Sequence, residues 1–159
     1  MIVNRQKSLR VSIRGLEEFL ELARKRLRVR AGAITVCLVG NPEMARWNAA
    51  YRGKRGPTDV LSFSTHAPER NHLKRKTRGR RRREFSFRSA FAASSYLGDI
   101  AIAPAVAQRN ARSFGRAFED EIRILILHGM LHLVGYDHET DEGQMNRREK
   151  RLRRELGLA

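Results

Sequence analysis

The chain has 159 residues, 41% of them apolar, with one cysteine. That length can bury a single core without staples; one cysteine excludes an internal disulfide, and runs such as Ile124 to Leu127 are far too short to span a bilayer. Lys plus Arg number 33 against 17 acids, a net charge of +16 that suits a polyanionic partner, because phosphate contacts release condensed counterions.

The opening residues, MIVNRQKSLRVS, lack the apolar core and cleavage site of a secretory signal, so a cytoplasmic protein with no membrane association is expected. Leu16 to Arg28 (LEEFLELARKRLR) aligns Leu16, Phe19, Leu20, Ala23 and Leu27 on one stripe and predicts an amphipathic helix, with Gly32 as its stop. Ile34 to Val39 (ITVCLV) is β-branched and apolar, the pattern of a buried strand. Asn41, Pro42 and Glu43 then offer an N-cap, a proline for the first turn and an early acid, so a helix should run to about Tyr51.

Arg52 to Pro57 (RGKRGP) reads as a turn and Asp59 to Phe63 (DVLSF) as a short strand. From Glu69 to Arg88 there are ten Lys or Arg and two acids, a net +8 that is half the charge of the chain. Within it, HLKRKTRGRRRR (His72 to Arg83) has no apolar period, and a basic, flexible insert at about 66–95 is expected. Leu97 to Ala103 (LGDIAIA) is a further strand, with Gly98 weakening its start. Pro104 opens a helix that fades near Gly115, and Phe118 to Val134 predicts a long helix closed by Gly135. Thr140 to Leu156 is charged and helical in pattern, with Thr140 as N-cap and Gly157 at its end. A few strands among several helices, out of strict alternation, predict one α+β domain over residues 1–159, a small mixed β-sheet packed with helices.

Three of the five histidines fall in HGMLHLVGYDH, His128 to His138. His128 and His132 are one turn apart on a single helix face. Gly135 can take the left-handed conformation that ends the helix and carries His138 back toward them. Any one of these would be an ordinary helix or loop histidine; all three at H-x3-H-x2-G-x2-H point to a metal centre. Three imidazoles with an open fourth position are a catalytic zinc arrangement, in which the cation lowers the pKa of its water to about 7. The spacing is that of metzincin proteases except that their glutamate, the general base after the first histidine, is here Gly129. A peptidase would lack its proton acceptor. A phosphodiester substrate fits better, because its main demand is neutralising charge on phosphoryl oxygens. Arg52, in a Gly-rich turn, is a candidate for that charge, or else one more surface arginine. Asp137 is read either as orienting an imidazole or moving a proton, or as a plain turn residue.

HGMLHLVGYDH, NAAYRGKRGPTDVLSF and LGDIAIA together resemble the YbeY family of bacterial endoribonucleases, also called rRNA maturation factors. The similarity runs through nearly the whole chain and takes in Asn4 to Gln6 (NRQ), Glu121, Met145, Glu149 and the closing ELGLA. It implies a metal-dependent endoribonuclease specific for single strands, acting in 16S rRNA 3′-end maturation on the small ribosomal subunit and in ribosome quality control. On this resemblance His128, His132 and His138 hold one zinc ion per chain in a metzincin-like site, and Arg52 serves activity. His128 and Asp137 stand beside Arg52 as catalytic candidates. RNA, not DNA, is the expected partner. Three departures concern the RNA-facing surface: Arg55 where the family often has an acid, Ser64 where a proline commonly follows LSF, and a long basic connection from Thr65 to Tyr96. A different reading is a non-catalytic ribosome assembly factor with a vestigial or structural metal site; a metallopeptidase is disfavoured by Gly129.

Overall fold

In the computed structural model, residues 1–65, 96–136 and 142–158 are described. In chain order they form β1 (Ile2–Asn4), α1 (Ile13–Arg26), β2 (Ile34–Leu38), α2 (Asn41–Arg52), β3 (Val60–Ser64), β4 (Gly98–Ile102), α3 (Pro104–Ser113), α4 (Phe118–Leu133) and α5 (Gln144–Glu155). The strands make one mixed sheet in the order β1-β2-β4-β3. β1 and β4 flank β2 in parallel, while β3 runs antiparallel to β4 at the sheet's end. This is the α+β domain expected from the pattern of elements, although the basic insert at about 66–95 lies outside the described residues.

Alternation along the strands divides the apolar side chains between two faces. Ile34, Val36, Leu38, Ile100 and Ile102 join the main core with α1, α4 and α5. Leu61 and Ala101 point the other way and meet Met44 and Trp47 of α2 in a smaller cluster. α1 buries Leu16, Phe19, Leu20 and Ala23, the stripe read from its periodicity, and each large side chain so buried contributes roughly 1.5–3 kcal/mol. Its N-cap is Ser12, whose hydroxyl accepts from Gly15 N–H at 3.2 Å.

Three local expectations are revised and one strand is added. α1 ends before Gly32, because Arg28 itself adopts the left-handed conformation (φ 57°) and the Val29 N–H closes onto the Arg24 carbonyl at 2.8 Å. β1 was not anticipated; three residues carry too little pattern to be read, and the strand exists because it pairs with β2 in parallel. Gly98 does not weaken β4 but permits its pairing: its φ is 145°, and a Cβ there would lie 2.0 Å from the Phe63 carbonyl oxygen. The last helix begins at Gln144 with Gly143 as cap, and Thr140 lies outside the described residues.

Several segments of the family-like sequence prove to be architectural. Gln6 is buried and ties the β1–α1 connection together, its amide donating to the Leu9 carbonyl while its oxygen accepts from the Ser8 hydroxyl and the Leu9 N–H. Asp59 pins β3: its carboxylate accepts from Val60 N–H at 2.8 Å and from the Asn110 amide of α3 at 3.0 Å.

Candidate active site

α4 is sheathed on nearly every side. From Ile124 to Leu133 every residue is buried except His128 and His132, which are half-open. Two polar side chains one turn apart on an otherwise dry helix define the only stripe of that segment available to a ligand. The helix starts with Glu119, Asp120 and Glu121 in its first turn, where the helix dipole favours negative charge. It ends in the turn read from Gly135: that glycine has φ 98°, its N–H meets the His132 carbonyl and the Tyr136 N–H meets that of Leu131, both at 3.0 Å. Both expectations for this helix, its extent and its terminator, are met.

The Nε2 atoms of His128 and His132 are 3.2 Å apart. Two imidazole ligands about 2.0–2.1 Å from one tetrahedral zinc would place their nitrogens about 3.3–3.4 Å apart, so the pair already stands at ligand spacing. The Nδ1 of His128 lies 3.0 Å from Oε2 of Glu149 on α5. Glu149 is buried, which would raise its pKa; the hydrogen bond with His128 and the Arg153 charge outweigh this and hold it below the usual carboxylate range. An ionised carboxylate only accepts, so Nδ1 of His128 carries a proton, and in the neutral ring this tautomer leaves Nε2 to present a lone pair. This is the carboxylate–histidine arrangement that orients metal ligands. Arg153 completes the chain by donating to Oε1 of Glu149.

These residues fit a metal ion. Among the described residues, no group of three or more His, Cys, Asp or Glu side chains is assembled around one point. His138 and Asp137, the third ligand and the neighbouring acid expected from sequence, lie outside the described residues.

Gly129 has a second explanation. A Cβ at this position would come within 2.8 and 2.9 Å of the Cγ2 and Cδ1 atoms of Ile100, which is fully buried in β4. The helix therefore lies against the sheet at a distance that excludes any side chain there. The missing glutamate is a packing requirement as well as a chemical clue.

Arg52 closes α2 and lines the same cleft as His128 and His132. Its turn is shaped by Gly53 in the left-handed conformation (φ 64°) and by buried Asn48, whose amide donates to the Gly56 carbonyl at 2.9 Å. β3 forms the wall between the two sides. Ser62 faces α4, with its hydroxyl 3.5 Å from the Gly129 carbonyl, while Phe63 faces α2.

Sequence reading gave Glu149 no role, though it named the residue within the family-like pattern. The usable signal was its place on α5: it sits between Met145 and Leu152 on a buried stripe, where an acid needs a partner.

The protein is thus an α+β domain that sets paired, carboxylate-oriented histidines in a cleft shared with a basic turn. The family model "Endoribonuclease YbeY" matches residues 1–157, and the chain belongs to that family. Proteins of that name from Sulfurovum and Koribacter versatilis are 33% and 35% identical to it, spanning 98% and 99% of this chain and 90% and 86% of their own lengths. One from Brevibacillus brevis is 37% identical over 141 residues, 87% of this chain and 83% of its own. A Thermotoga maritima protein solved in solution superposes with a TM-score of 0.58 at 27% identity, over 98% of this chain and 89% of that one.

Proposed function

We propose that this protein is a zinc-dependent endoribonuclease that cleaves single-stranded ribosomal RNA in the cytoplasm, in 3′-end maturation of 16S rRNA and in ribosome quality control. The observation that carries this reading is the His128–His132 pair, the two half-open residues of the otherwise buried segment from Ile124 to Leu133, with their Nε2 atoms 3.2 Å apart, close to the spacing of two ligands on one ion. The relatives' shared name and the net charge of +16 support RNA as the substrate.

One zinc per chain is held by His128, His132 and His138 in this reading; when bound, it makes a water molecule acidic enough to supply hydroxide near neutral pH. The chain's own residues do the rest. Glu149 keeps the His128 proton on Nδ1 and the ring aimed into the cleft. Arg52 binds a phosphoryl oxygen and neutralises the charge that grows on it as the phosphodiester is attacked. Asp137 orients an imidazole or relays a proton. Gly129 can do neither.

The test is cleavage of a labelled single-stranded RNA by the zinc-loaded wild type beside His132→Ala, purified identically. Cutting by the wild type alone, with loss of bound zinc in the variant, is expected. Equal cutting by both sinks the metal-centre reading. Silence of both with RNA binding intact favours the assembly factor.

A further inference from the structure

Among the described residues, five large apolar or aromatic side chains are exposed: Met1, Val3, Leu22, Tyr51 and Phe114. Met1 and Val3 belong to the terminal strand, Leu22 stands on the outer face of α1, and Phe114 has the Arg116 guanidinium 4.8 Å above its ring. Val3 and Phe114 also line the cleft that holds the histidines, as does Tyr51, which is 68% exposed. Tyr51 differs in having its ring packed on another aromatic and in immediately preceding Arg52. Its ring is braced from below. Phe63 meets it edge-on at 4.9 Å and 68°, and Phe63 is itself packed edge-on with Trp47, one turn back on α2, at 6.0 Å and 85°.

Edge-to-face packing fixes a ring's orientation, and such pairs contribute beyond simple burial. A large aromatic that is oriented by a packed neighbour but left open costs little entropy to use as a contact surface. The turn that follows it, Arg52-Gly53-Lys54, lines the same cleft and supplies two cations within three residues. A braced ring followed by cations matches the two demands of an unpaired nucleotide, a face to stack on and a charge for its phosphate. A duplex cannot use the ring, because its bases already stack on one another.

We infer that Tyr51, braced by Phe63, which is itself packed on Trp47, is a stacking platform for an unpaired nucleobase, and that it positions the strand so that the adjoining phosphate reaches Arg52. This rests on the proposed RNA substrate and supplies that reading with a physical basis for preferring single strands. Tyr51 is a binding and specificity residue here; the chemistry stays with the histidines and Arg52.

The experiment measures affinity of the full chain for a labelled 12-nucleotide RNA in chelating buffer, so that binding is read without cleavage. Wild type, Tyr51→Phe, Tyr51→Leu and Tyr51→Ala are compared on the intact strand, on strands with one abasic position walked along the length, and on the duplex. Tyr51→Phe should bind as wild type, while Tyr51→Ala should bind the intact strand roughly five- to a hundredfold more weakly, the range of one lost base stack. Leu should fall near Ala, since it keeps bulk but no π-face. One abasic position should weaken the wild type and leave Tyr51→Ala indifferent, and the duplex should not distinguish the variants. An Ala or Leu variant that binds like wild type overturns the platform, as does a loss that is the same on every strand and on the duplex. A wild type that binds no single strand overturns it too. Thermal melts of the three variants identify any loss that comes from unfolding. Cleavage is scored separately: a catalytically silent protein with Tyr51-dependent binding keeps the platform and loses the nuclease, and an active enzyme indifferent to Tyr51 does the reverse.

Discussion

α4 and α2 contribute to the same cleft, yet they are held in opposite ways. α4 buries ten residues and lies so close to the sheet that Gly129 has no room for a side chain. α2 buries only Met44 and Asn48, and its last turn opens into solvent through Tyr51 and Arg52. The first arrangement fixes two imidazoles to within the tolerance of a coordination sphere, because close packing leaves few alternative rotamers or helix positions. The second leaves its cation and aromatic ring on an open last turn, the ring packed on Phe63 and the following loop tied back by the Asn48 amide on the Gly56 carbonyl. A metal centre needs the first kind of support. A surface that must accept a long, variable polymer is better served by the second.

The sharpest way to break this division is Arg52→Ala. If α2 serves only the substrate, the variant should keep its zinc and its melting temperature and lose turnover by about 10²–10³-fold, the usual cost of one charge-stabilising donor. Zinc content by atomic absorption beside single-turnover cleavage checks it, and a variant with full turnover returns Arg52 to the ordinary surface. A smaller effect, on the other side of the cleft, is expected of Glu149→Gln. It keeps the shape but no longer holds the His128 proton on Nδ1 through a charge, and zinc affinity should fall about 10–100-fold as for other groups that orient ligands. Competitive chelation measures this directly, and an unchanged affinity would make Glu149 merely a partner of Arg153. The smallest effect concerns packing alone. Gly129→Ala gains about 1 kcal/mol in helix propensity but overpacks Ile100 at a cost of about 1–3 kcal/mol, so a modest net loss in urea stability is expected. Gly129→Glu should lose considerably more and gain no activity. A stable Gly129→Glu would show that the helix can stand off from the sheet, contrary to its description as rigidly seated.

The glycine illustrates where reading from residues reaches its limit. Its chemistry was legible, since a side chain that is absent cannot be a base. Its packing role was not, because Ile100 lies 29 positions away in sequence and only the sheet brings the two together. Gly98 shows the same limit in reverse. In the linear chain it looks like a defect in a strand, whereas in the sheet the close carbonyl of Phe63 makes glycine the residue that fits.

What the sequence determined by itself was local and periodic. The stripe of α1, the extent of α4 with its left-handed glycine, the proline-led helices and the one-turn spacing of His128 and His132 all follow from the 3.6-residue repeat and from backbone stereochemistry. The short β1 escaped, being too brief to stand out, and so did the left-handed Arg28 that turns the chain just after α1. The tertiary structure decided the rest: that an acid on α5 meets His128, that β3 divides a histidine-facing side from an aromatic one, and that Tyr51 is braced while remaining open. Each of these depends on contacts between elements far apart in the chain, and such contacts are set by which apolar faces must be buried together.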